Sequence, residues 1–169
     1  MNYEKAEKRL SDMNEKDILN DNDYEFLAEI AKSDDMCIKC DAADLLINYK
    51  TKQAVEILKT LSDDNDATVR ASAYDNMWVF EKQDFDEILR KAVSCESDGI
   101  ARSYAIFSLY DLYLQNDCDT AELIDFMHNL YKRRKTEGVN FSISGTSIFP
   151  EKPTNSVRSS VILKIKITE

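Results

Sequence analysis

The sequence predicts an all-α fold, an α–α superhelix of three to four short helical hairpins, and three observations predict it. Only 3 Gly and 2 Pro stand in 169 residues, too few for the tight turns of a sandwich or barrel. From about Asp23 to Gln115, apolar residues recur at spacings of three and four in segments cut by short polar breaks, the period of amphipathic helices. One pentad also returns: Asp35-Met-Cys-Ile-Lys39, Asp66-Ala-Thr-Val-Arg70 and Asp98-Gly-Ile-Ala-Arg102 lie 31 and 32 residues apart, a period that marks a repeat array.

Residues 1–22 are read as a cap and linker. Tyr3, Ala6, Leu10 and Met13 fall on one helical face, so residues 2–13 form an amphipathic helix covering the open end of the first repeat. Residues 23–115 then hold three repeats, each a pair of helices. Asp35, Asp66 and Asp98 open the second helix of each pair as N-caps, accepting from exposed backbone N–H groups. Lys39, Arg70 and Arg102, four residues on, are placed to pair with those same acids one turn below.

The core columns follow from the same register. Ile38, Val69 and Ala101 share one column. Ala42, Ala73 and Ala105 form a second, Leu46, Met77 and Leu109 a third, and Tyr49, Phe80 and Leu112 a fourth. The small residues of the alanine column let neighbouring helices approach closely. In the first helices the columns are Phe26, Ile57 and Leu89, then Ile30, Leu61 and Val93. Each hairpin's apolar stripe is completed by its neighbours, giving a right-handed stack.

Residues 116–169 form the third segment. Ala121 to Arg134 repeats a first-helix pattern through Leu123, Ile124, Met127 and Leu130. Beyond it two readings stand. Pro153 to Arg158, with Val161 and Ile165, matches a fourth second helix after an insertion. The alternation of Val157, Val161, Leu163, Ile165 and Ile167 with polar residues, beside Val139 to Phe149, reads instead as a small C-terminal β segment.

The stretch Leu58-Lys-Thr-Leu-Ser-Asp-Asp-Asn-Asp-Ala-Thr-Val-Arg-Ala-Ser-Ala73 resembles a HEAT repeat, with that family's helix, Asp-rich turn and Val-Arg second helix, and the likeness covers residues 23–115. The resemblance implies an armadillo-type α-solenoid. It also implies a general mode of action, since the family's members are mostly scaffolds and adaptors, with a few lyases, hydroxylases and DNA glycosylases. The His-Glu metal pairs of the hydroxylase branch are missing here, and the basic groove of the glycosylase branch conflicts with the acidic repeats.

Charge narrows the partner. The net charge is -10, and the first 115 residues carry 14 basic against 25 acidic side chains. Such a field repels a phosphate backbone and speeds encounter with a basic protein. A single His, with no His-containing metal constellation and no phosphate-cradling glycine loop, argues against catalysis and against a cofactor or metal centre. Cys37 and Cys40 make one CxxC without a second pair, and with Cys95 and Cys118 they are expected as reduced thiols. His128 reads as a packed or surface residue. The amino terminus opens with mixed charges and no apolar run has membrane-spanning length, so the expected setting is cytoplasmic.

Between the core positions of the second helices stand Asp41, Asp44 and Ile47, then Ser72, Asp75 and Trp78, then Tyr104, Phe107 and Tyr110. Register alone places them on the concave face that repeat proteins offer to partners. Trp and Tyr are frequent interface anchors, and carboxylates beside them select Lys or Arg. The expected partner-binding residues are Asp41, Asp44, Asp75, Trp78, Tyr104, Phe107 and Tyr110. The expected function is a non-catalytic module that recognises a basic protein, most concretely an immunity or inhibitor protein against a toxic nuclease. The alternatives are a lyase or other small-molecule-handling enzyme on the same scaffold, or a nucleic-acid binder through Lys132-Arg-Arg-Lys135, a cluster that also suits the negative end of a helix dipole.

Overall fold

A computed structural model describes residues 3–136, with side chains as far as Arg133. Among the described residues every regular element is helical: α1 (Tyr3–Asn14), α2 (Asp21–Ile30), α3 (Met36–Leu46), α4 (Lys52–Ser62), α5 (Ala67–Asp75), a 3-10 turn (Met77–Val79), α6 (Lys82–Cys95), α7 (Gly99–Gln115) and α8 (Thr120–Thr136). The all-α expectation holds there. The choice between a β segment and a fourth-repeat helix over 139–169 lies outside the described residues.

The described residues fall into two units, one ending at Ile124 and one beginning at Asp125. In the first unit α2 packs on α3, α4 on α5 and α6 on α7, while α1, α3, α5 and α7 lie side by side in one row. Three hairpins therefore stack in order, with α1 occupying the place ahead of α3. It buries Ala6, Leu10 and Met13. In the second unit the described part of α8 buries Met127 and Leu130 and exposes His128.

The second-helix columns are all buried: the three alanines are each 0% exposed, and Tyr49, Phe80 and Leu112 stay below a tenth. In one first-helix column only the first member departs. Phe26 is half-buried beneath the Arg9 guanidinium, 4.0 Å from its ring centroid, and the neighbouring Leu27 is fully buried, while Ile57 and Leu89 are buried as expected. A cation over an aromatic face is stabilising at a partly wet site, so the larger ring sits at the edge of the cap.

Asp35, Asp66 and Asp98 are N-caps as the pentads predict, accepting from the N–H of Ile38, of Thr68, and of Ile100 and Ala101. Each such cap contributes about 1 kcal/mol. The bases four residues on behave differently. Lys39 does not close on Asp35 but reaches Asp64 in the next repeat at 2.7 Å, and Arg70 reaches Glu96 at 2.8 Å. Asp64 and Glu96 in turn accept from the N–H of Asp66 and Asp98, so each links the turn before its own helix to the repeat ahead of it. Arg102 donates to the Glu96 carbonyl. A long base bent back along its own helix gains only tenths of a kcal/mol; these half-shielded pairs across repeats also satisfy loop groups.

Candidate functional site

The row α1–α3–α5–α7 presents the candidate residues, and it grades from carboxylate to apolar along the stack. Asp41 and Asp44 are exposed on α3. Glu7, Ser11 and Asn14 of α1 join them around a shallow cleft of about 310 Å³ floored by Leu10 and Leu45. These α1 residues were not among those expected from sequence; the outward face of a capping helix carries no periodic signal for binding. Burial, reinforced by Asp44, Glu7 and Asp35, pushes the Asp41 carboxyl above the usual carboxylate range. Burial also raises the Cys40 thiol, with Asp44 and Cys37 adding to it, which disfavours thiolate chemistry at the CxxC. All four cysteines are free.

Asp44 has structural partners. Its Oδ1 accepts from Asn76 Nδ2 at 2.8 Å and from Ser72 Oγ at 3.1 Å, tying the first repeat to the second. Asn76 also donates to the Ser72 carbonyl and caps α5 at its C-terminus. There the helix stops. Trp78 consequently stands in the 3-10 turn Met77–Val79 and not on a continuous helix, so its register with Tyr110 is not a helical one. Phe80, next along, turns inward and meets Phe85 edge to face, with ring centroids 5.2 Å apart.

Asp75, Trp78 and Tyr110 are half-buried, Asp75 and Trp78 having interactions of their own. On α7, Tyr104 and Phe107 are 39% and 44% exposed, and Ile100, one turn earlier, is 69% exposed. Ile100 was missed because an apolar residue at helix position N2 reads as core by composition; only the fold shows it outside. Asp41, Asp44, Tyr104 and Phe107 are thus the exposed members of the set, and Asp75, Trp78 and Tyr110 the half-buried ones. Adjacent helices in such a row stand about 8–10 Å apart, which separates the α3 acids from the α7 aromatics by roughly 20 Å.

Among the described residues no group of His, Cys, Asp and Glu could hold a metal ion, and no helix is long and apolar enough to cross a membrane. Lys132 and Arg133 are exposed near the end of α8, where cations complement the helix dipole. Comparisons of the chain with protein-family models, with curated proteins and with solved structures yield no match.

Proposed function

We propose that the chain is a HEAT-like protein-binding module, acting without making or breaking a bond, whose α1–α3–α5–α7 row receives a basic protein partner in a cytoplasmic setting. The single observation carrying this is the graded exposed face. Carboxylates stand outward on α1 and α3, and Tyr104, Phe107 and Ile100 stand outward on α7. Exposed aromatics supply large contact area at low entropic cost, while the acids steer a cationic surface and fix its orientation. A net charge of -10 on a chain of this size suits the masking of a basic enzyme, so inhibition of a toxic nuclease is the most concrete form of the proposal.

The test immobilises the full chain beside its Asp41→Lys and Phe107→Ala variants and exposes all three to native lysate at low and high salt. The expected result is a basic protein held by the wild type, released by salt and lost from both variants. Identical recovery by all three removes the row as the binding face. If the retained protein is a nuclease, its inhibition by the wild type and not by Asp41→Lys supports the inhibitor reading.

A further inference from the structure

A second concavity lies between α4, the junction leading into α6 and the C-terminal end of α7. It encloses about 560 Å³, and none of Asp41, Asp44, Asp75, Trp78, Tyr104, Phe107 or Tyr110 lines it. Its two walls are fixed independently. Thr51 caps α4 through the Ala54 N–H, and its hydroxyl donates to the Tyr24 hydroxyl. On the other side Asn116 accepts from the Lys82 N–H and donates to the Phe80 carbonyl. The backbone at both walls is thus held in place by the fold.

The walls carry opposite charge. Lys50 and Lys52 line the α4 side, Glu81 and Asp84 the α6 side, with Val55 and Phe80, both buried, between them. Glu56 and Lys59, also at the α4 side, satisfy each other at 2.9 Å. No ion pair joins Lys50 or Lys52 to Glu81 or Asp84 among the described residues. Two bases facing two acids, across a lining that includes Val55, Val79 and Phe80, are complementary to a ligand with both charges and an apolar middle. The volume falls within the roughly 300–1,000 Å³ usual for small-molecule sites.

We propose that this groove binds a zwitterion of amino-acid to dipeptide size. Its carboxylate lies toward Lys50 and Lys52, its ammonium toward Glu81 and Asp84, and its apolar side chain against Val55 and Phe80. The proposal does not depend on the protein-binding row.

The test is a titration of the isotopically labelled full chain with L-alanyl-L-leucine, followed by amide chemical shifts. Saturable shifts confined to residues 50–59, 79–84 and 115–116, with a Kd on the order of 1 mM, are the expected result. Acetylating the ligand's amine or amidating its carboxylate weakens binding about tenfold each, and so do Lys52→Glu and Asp84→Lys. Glu81→Gln, at an exposed position, is a second probe of the ammonium end should Asp84→Lys unfold α6. No saturable shift up to about 20 mM, or equal affinity for the blocked dipeptides, overturns the proposal.

Discussion

Arg70 and Glu96 form a two-point ion pair across 26 residues: Nε and Nη2 of the guanidinium donate to the two carboxylate oxygens at 2.8 Å each. The Glu96 side chain is only 5% exposed. Hydrogen bonds from Arg70, working against burial, hold its carboxyl down to about 2. Such paired forks are the strong class of charged hydrogen bonds, and this one joins α5 to the turn that opens α7.

Glu96→Gln removes the acceptor charge while leaving Arg70 half-shielded, which costs about 2–3 kcal/mol at neutral pH. Because the folded carboxyl lies below its ordinary value of 4.5, its contribution is present above that value and is lost as pH falls toward about 2. Urea denaturation of both proteins across this range should show their difference closing as the solution is acidified. A constant gap would remove the linkage.

Asp44 and Asp41 stand one turn apart on α3, and Asp44 is tied to the second hairpin, accepting from Ser72 and Asn76. Asp44→Ala is expected to lower stability by about 1–2 kcal/mol. Asp41→Ala should be neutral or slightly stabilising, since it relieves repulsion from Asp44 and Glu7. Chemical denaturation separates the two, and equal effects would deny Asp44 its inter-repeat role.

The Tyr49 hydroxyl lies 2.7 Å from both the Met13 and the Lys16 carbonyl oxygens, closing the end of α1 onto the first repeat. Tyr49→Phe should cost about 1 kcal/mol and should speed hydrogen exchange in α1 before it does so in α5 or α7. Uniform acceleration along the chain would mean that the cap does not open on its own.

Burial, then the Glu96 charge, pushes the Tyr74 phenol up to about 12 from 10.0. Its raised value makes it a source of stability that is complete below the ordinary tyrosine value and declines as pH climbs through about 12. In a spectrophotometric titration the latest-ionising tyrosine should disappear in Tyr74→Phe. An unchanged alkaline limb would reassign that step.

Much of this architecture could be read directly from the residues. The pentads at Asp35, Asp66 and Asp98 located three helix starts because a cap is a local bargain between a side chain and N–H groups two or three residues away. The core columns were legible for a similar reason: helical periodicity fixes which side chains share a face before any neighbour is known. Among the candidate residues, Asp41, Asp44, Tyr104 and Phe107 are exposed.

Only the assembled fold decided the partners. Lys39 and Arg70 have acids within reach on their own helices, and local rules favour those; packing the hairpins brings Asp64 and Glu96 into better-shielded positions, where charged hydrogen bonds are stronger. Asn76, bonded to Asp44 and to the preceding turn, ends α5 early and lifts Trp78 off the helix. The opposed charges of the α4–α6 groove also arise from residues about 30 positions apart, because a one-dimensional period records which face a side chain occupies and not what stands across from it.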